Sequence, residues 1–125
     1  MPQIDDKLES LWRRILDDEN HHLIVGLVEG VIVSTCTLSI TLNLTNNGRG
    51  WGIIENVLTH QDYRNKGYAT LILNFAREIA IREDCYKITL TTGSKRESTL
   101  RFYEKAGYNQ RDKTAFVQWL DHHKP

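Results

Sequence analysis

Seven consecutive residues, Arg64-Asn65-Lys66-Gly67-Tyr68-Ala69-Thr70, bring two cations and a glycine to the point where an apolar run gives way to an amphipathic one. The chemistry this favours is anion binding. The first N–H groups of a helix lack partners within it, and the helix dipole adds partial positive charge at the same end. Arg64 and Lys66 add full charges, and Gly67 has no Cβ to hold a phosphate away from the backbone. Two common phosphate motifs do not fit. A P-loop requires Gly-Lys-Ser/Thr in that order, whereas Lys66 precedes Gly67; the dinucleotide fingerprint requires three spaced glycines, and only Gly67 is here. On these residues alone, Arg-x-x-Gly-x-Ala reads equally well as a solvated, charged helix start.

The periodicity on either side supplies a frame for the turn. Residues 51–59 read as a strand with apolar residues on both faces, and 66–83 as an amphipathic helix. Upstream, Ile4, Leu8, Leu11, Trp12, Ile15 and Leu16 recur at helical intervals over residues 4–17, and 17–22 form a polar break. Strands 23–28 and 31–44 are joined through Glu29-Gly30 as a hairpin, and 45–50, with Asn46-Asn47-Gly48, is the next loop. Downstream come a strand over 86–92, a helix over 96–106 stopped by Gly107, and a last strand over 114–120. An antiparallel region followed by two strand–helix–strand crossovers predicts an α/β chain with a mixed sheet and helices on both faces.

Composition bounds the answer without naming it. With 125 residues, 40% hydrophobic and 26% charged, residues 1–125 are expected to form a single domain. Sixteen basic residues balance sixteen acidic ones, so there is no electrostatic case for a nucleic-acid or membrane-surface partner, and anion binding must be local. The longest apolar runs are strand-sized, too short to span a bilayer. Asp5 and Asp6 near the start, with no hydrophobic signal core, point to a cytoplasmic protein. Cys36 and Cys85 read as buried thiols rather than a disulfide or redox pair. No metal-ligand spacing is found, and His21-His22 and His122-His123 read as solvated polar stretches, so no metal is expected.

With its surroundings, the turn resembles the GNAT N-acetyltransferase superfamily, whose Arg-x-x-Gly-x-Gly/Ala loop cradles the pyrophosphate of acetyl-coenzyme A. Ile54-Glu55-Asn56-Val57-Leu58-Thr59 is similar to the family's central strand, and Cys85-Tyr86-Lys87-Ile88-Thr89-Leu90 to the strand after the phosphate helix. Arg101-Phe102-Tyr103-Glu104-Lys105-Ala106-Gly107-Tyr108 resembles the closing Phe-Tyr-Glu-Lys-x-Gly-Phe/Tyr motif. These elements cover residues 51–108 in the family's order. The strand over 85–90 also looks like that of glucosamine-phosphate acetyltransferases, although one strand does not name a substrate.

The resemblance implies a GNAT-like acyl-CoA N-acyltransferase fold: a mixed, mostly antiparallel sheet flanked by helices. It implies acetyl-CoA as cosubstrate. The pantetheine arm would pair with the backbone of Val57, Leu58 and Thr59, and the phosphates would meet Arg64, Asn65, Lys66, Gly67, Tyr68, Ala69 and Thr70. Thr59 stands where the family often has Val, which leaves backbone pairing intact. Ser94, Lys95 and Arg96 precede the last helix where the family often contacts the coenzyme arm; Arg96 replaces a common asparagine, and Ser94 as a helix cap explains them equally well. The usual first strand and helix have no counterpart before residues 4–17. A fragment of a longer product, a trimmed chain and a natural short form completed by a partner all fit that departure. An unprotected edge strand would favour pairing with another chain, so a homodimer is expected.

Acetyl transfer to an amine needs a neutral amine, although the free pKa is about 10. It needs a donor for the tetrahedral oxyanion, worth about 3 kcal/mol when preorganised, and a proton for the departing thiolate, worth roughly 10²–10⁴-fold. The matched family positions make Tyr103 the general acid and the Leu58 backbone N–H the oxyanion donor. Without the family, Tyr103 is an ordinary packing aromatic. Glu55 is the general base of the resemblance, or else the partner of Arg49, Arg64 or Lys87, because a carboxylate on a strand covered on both faces needs one. His60 is the competing base and equally a turn residue. The expectation is an N-acetyltransferase that moves the acetyl group of acetyl-CoA to a primary amine of a small molecule by direct attack in a ternary complex. The alternative from another class is a catalytically weak acyl-CoA-binding module or partner subunit.

Overall fold

The carboxylate of Asp5 accepts a hydrogen bond from the Leu8 N–H at 2.8 Å and opens α1, Asp6–Asp17, in a computed structural model that describes residues 5–121. An N-cap of this kind satisfies one of the helix's orphan donors. Asp6 and Glu9 in the first turn and Arg14 in the last complement the dipole. The expected start at Ile4 lies outside the described residues. The chain divides into two compact units between Thr89 and Leu90.

In the first unit, α1 is followed by β1 (His21–Val28), β2 (Val31–Thr41), β3 (Trp51–Thr59), α2 (Tyr68–Arg82) and all but the last residue of β4 (Ile88–Leu90), with strand order β1-β2-β3-β4. Glu29 and Gly30 both take positive φ, 50° and 79°, which is the two-residue turn that matches the twist of a hairpin and makes β1 and β2 antiparallel neighbours. β2 and β3 are antiparallel as well. The strand β2 stops at Thr41, short of the expected 44, because Asn43 turns its amide onto the carbonyls of Thr45 and Arg49 and closes the loop there. The bonds from Tyr86 N–H to Gly50 O and from Gly52 N–H to Lys87 O step along both chains in one direction. They set β4 parallel to β3 across the α2 crossover, so the sheet is mixed.

α2 packs on β1, β2 and β3 through Ile72, Leu73, Ala76, Ile79 and Ala80, all buried against Ile24, Cys36, Leu38 and Ile54. The Leu38 side chain of neighbouring β2 accounts for Gly52: a Cβ there would stand 2.8 Å from its methyl. α1 touches β1 and buries none of its own residues.

In the second unit, α3 spans Glu97–Lys105, one residue inside each expected end. Its C-terminus closes with the Gly107 N–H on Glu104 O and the Tyr108 N–H on Tyr103 O, and Gly107 takes φ 101°. This paired cap explains why the helix stops at a glycine. The N-cap is Arg96, without a side-chain bond. Ser94, expected as the cap, instead accepts from the Arg96 N–H and pairs with the Thr99 hydroxyl. The expected last strand over 114–120 is not formed. Phe116 and Leu120 are 92% and 93% exposed, and a β-rich sequence without a neighbouring strand has nowhere to place its hydrogen bonds. No helix among the described residues is long and apolar enough to cross a membrane.

Candidate functional site

The turn before α2 is built by two left-handed residues. Asn65 and Gly67 take φ 62° and 84°, and Gly67 is the N-cap of α2 without a side-chain hydrogen bond. A left-handed residue followed by helical Tyr68 aims successive N–H groups into one concavity, the backbone arrangement that holds anions. The Gly67 carbonyl accepts from the Leu71 N–H at 3.1 Å, so the helix starts in earnest here. A Cβ on Gly67 would meet nothing within 4 Å, so the side of the turn where a side chain would stand is open. Arg64 and Lys66 are exposed on its rim, and Lys66 Nζ lies 5.6 Å from the Tyr63 ring centre.

β3 leads into this turn. After Thr59, the ring of His60 accepts from the Asp62 N–H through Nδ1 and starts a 3-10 turn, Gln61–Tyr63. His60 therefore has a local structural task, as the turn reading expected. Arg64 Nε donates back to the Thr59 carbonyl at 3.2 Å. Strand end and helix start are thus tied together.

The last third of β3 carries a feature that the sequence reading missed. Thr37 of β2 pairs with Glu55, but Thr35 pairs with Leu58, so Asn56 and Val57 together oppose one residue, Cys36. This is a β-bulge, and Asn56 sits in it with φ 56°. Asparagine is the side chain that tolerates this backbone region best after glycine, so Asn56 was the available signal. The bulge places Leu58 on the same face as Glu55, and Leu58 is 67% exposed. β4 ends at Leu90, and its register with β3, set at Gly50 and Gly52, brings it no further than the neighbourhood of Glu55. The backbone of Val57, Leu58 and Thr59 runs beyond it.

Glu55 differs from its expected setting. It is exposed, and among the described residues it forms no ion pair. Arg49, one of its proposed partners, bonds instead to the Asp84 carboxylate at 3.2 Å and to the carbonyls of Asp84 and Cys85. Lys87 lies over the rings of Trp51 and Tyr86, at 5.2 and 5.3 Å. Burial cost therefore does not explain the carboxylate; the strand is covered on both faces only in its first half, around Gly52 and Ile54. In the second unit, Tyr103 is half-buried on α3 between two rings, with centroids 5.1 Å from Phe102 and 6.3 Å from Tyr108. The first unit brings together Glu55, Val57–Thr59 and residues 64–70; Tyr103 belongs to the second. Among the described residues no group of three or more His, Cys, Asp or Glu side chains could hold a metal ion.

The family described as Acetyltransferase (GNAT) family matches this chain over residues 2–108, which takes in the bulged strand, the turn and the Tyr103 motif. The chain belongs to the GNAT family. A glucosamine 6-phosphate N-acetyltransferase of Trypanosoma brucei brucei is 33% identical over 84 residues, covering 67% of this GNAT chain and 55% of the relative. The chain thus spans about half the length of that curated relative. A solved Agrobacterium tumefaciens protein assigned as an acetyltransferase is 29% identical with a TM-score of 0.85, covering 95% of this chain and 83% of its own. A solved transcriptional regulator of Bacillus halodurans is also 29% identical, with a TM-score of 0.82, and covers 93% of this chain and 77% of its own. The fold expected from the resemblance, a mixed sheet flanked by helices, is the one the GNAT chain has.

Proposed function

We propose that residues 1–125 act as one GNAT domain that transfers the acetyl group of acetyl-CoA to the primary amine of a small molecule. The observation that carries this reading is the uncapped, left-handed turn at Gly67, open to solvent and tied through Arg64 to the end of a bulged strand. These residues suit the coenzyme. The amides from Gly67 to Thr70, with Arg64, Asn65 and Lys66, would take the diphosphate, and the backbone of Val57, Leu58 and Thr59, on the side away from β2, would take the amide-bearing arm. The coenzyme supplies an activated thioester; the chain's own groups do the rest.

In this reading the Leu58 N–H steadies the oxyanion of a tetrahedral intermediate formed by direct attack of the amine. Tyr103 gives its proton to the departing thiolate, and Glu55 takes the proton that the amine must lose. The exposure of Glu55 supports a role reached through water, because it leaves the carboxylate open to solvent. The acceptor proposed first is an amino-sugar phosphate, on the strength of the trypanosomal relative's name. The assembly proposed is a homodimer in the cytoplasm.

The second reading, an acyl-CoA-binding module without appreciable turnover, is favoured by the Bacillus relative named as a transcriptional regulator. One experiment separates the two. Thiol release from acetyl-CoA is followed with a panel of amines headed by glucosamine 6-phosphate, beside coenzyme-induced thermal stabilisation. The enzyme reading expects both signals. Stabilisation without thiol release for any amine supports the module, and neither signal would overturn both readings.

A further inference from the structure

We propose that Ser34 is a positioning residue: its buried hydroxyl, supplied with a proton by Thr59, fixes the peptide group between Leu58 and Thr59 and so aims the Thr59 N–H at the coenzyme arm. Ser34 is 2% exposed, a polar side chain among the buried apolar ones of β2. Its register partner across the sheet is Thr59, so the two side chains stand together on the face that Cys36 and Leu38 turn to α2. A buried hydroxyl is costly unless it is bonded. This one has two partners, the Leu58 carbonyl oxygen and the Thr59 hydroxyl, each at 3.0 Å.

Counting protons gives the contact a direction. A serine hydroxyl has one proton to give, and a carbonyl oxygen can only accept. With the Ser34 proton on Leu58 O, the bond between the two hydroxyls must be donated by Thr59, so the relay runs from Thr59 Oγ1 to Ser34 Oγ to Leu58 O. Bonds in such a chain polarise and strengthen one another. A valine at position 59 would keep the shape and lose the proton.

Peptide planarity carries the effect to the far side of the strand. The Leu58 C=O and the Thr59 N–H belong to one trans peptide group and point in opposite directions. Holding the carbonyl toward β2 therefore turns the N–H away from β2, beyond the point where β4 ends at Leu90. The neighbouring bonds agree. The His60 N–H reaches Val33 O on the β2 side at 2.8 Å, and the Thr59 carbonyl, facing the other way, accepts from Arg64. The bulge at Asn56 interrupts the ladder just before this tip, which raises the value of a side-chain bond that holds it. Arg64 fixes the tip from the turn and Ser34 fixes it from the sheet. This inference rests on the coenzyme reading of the site and adds to it a residue of β2.

The test compares two ligands on the full chain: coenzyme A, and its nucleotide part, phosphoadenosine diphosphate, which keeps the diphosphate and lacks the arm. Affinities are read by calorimetry, with competition for the weaker ligand, in Ser34→Ala, Thr59→Val, the double variant and Thr59→Ser. Ser34→Ala should weaken coenzyme A roughly fivefold and leave the nucleotide part bound as in the parent. Thr59→Val, close in shape and at a half-buried site, should weaken coenzyme A in the same selective way on an intact fold. The double variant should be no weaker than Ser34→Ala, because the two hydroxyls act as one chain, and Thr59→Ser, which keeps the donor, should match the parent. Equal loss of both ligands would make the hydroxyls merely structural, and unchanged coenzyme A affinity in Ser34→Ala and Thr59→Val would leave the tip aimed without them; either result overturns the proposal. A parent that binds neither ligand overturns the coenzyme reading itself, and this inference falls with it.

Discussion

Arg64 Nε donates to the Thr59 carbonyl at 3.2 Å, joining the last residue of β3 to the turn that opens α2. A single side chain thus holds two parts of the proposed coenzyme site in register. Arg64→Ala should weaken coenzyme binding roughly tenfold, the equivalent of about 1.4 kcal/mol, from the lost tether and the lost charge together. Arg64→Lys keeps the charge without the same geometry and should fall between. Calorimetric titration checks both, and full affinity in Arg64→Ala would show the tether to be irrelevant.

At Gly67, two substitutions separate strain from obstruction. Its φ of 84° means that any Cβ is strained, although it meets no atom within 4 Å. Gly67→Ala should cost about 1 kcal/mol of stability and keep much of the binding. Gly67→Glu adds a negative charge where the phosphates are proposed and should abolish coenzyme-induced stabilisation in a thermal melt. Normal binding by Gly67→Glu would put the phosphates elsewhere.

Turnover and binding should part company at the proposed proton-transfer groups. Tyr103→Phe should slow acetyl transfer by roughly 10²-fold and leave coenzyme affinity unchanged. Glu55→Gln should act similarly at neutral pH, with the loss shrinking as pH rises and more amine is already neutral. Steady-state rates against pH, beside direct binding, are the measurements. An unchanged rate in Tyr103→Phe returns that residue to simple packing between Phe102 and Tyr108.

The bulge predicts an unusual ranking at Asn56. With φ at 56°, Asn56→Gly should be neutral or slightly stabilising, whereas Asn56→Val should cost about 1–2 kcal/mol. Chemical denaturation distinguishes them. Equal stability of the two variants would mean that the strand relaxes out of the bulge.

Alkaline conditions should expose the buried thiol. Burial raises Cys36 from 9.0 to about 11; Cys85 is raised by burial first, then by Glu83 and Asp84, with Arg49 opposing. A thiol held above its unfolded value stabilises the fold below that value. The unfolded chain releases its proton first as pH rises, so stability falls between about pH 9 and 11. For Cys36 the loss is on the order of 2 kcal/mol, and Cys36→Ser should flatten the decline while lowering stability overall. Melts from pH 8 to 11 test the sign.

Much of this layout is legible in sequence because local rules and burial agree. Glu29-Gly30, the 3.6-residue spacing of Ile72, Leu73, Ala76 and Ile79, and Gly107 each mark an element that forms where expected. The misses occur where a neighbour decides. Residues 114–120 have strand composition, but a strand exists only with a partner. Glu55 reads as buried by its apolar neighbours, yet the bulge beside it opens that part of the strand to water. Ser94 has the right chemistry for a cap and spends its hydroxyl one turn early, on Arg96 and Thr99.

The pairing of Thr35 with Leu58, three residues along from Glu55 where two would be regular, has an evolutionary consequence. Strands alternate their outlook residue by residue, and one supernumerary unit throws that rhythm out of phase. Beyond Asn56 the parity is reversed: Val57 and Thr59 take the more covered side that Gly52 and Ile54 hold earlier, and the Thr59 hydroxyl pairs with that of buried Ser34. Removing Asn56 would leave Val57 opposite Cys36 and Leu58 still opposite Thr35, so the supernumerary residue can come or go without turning the tip over.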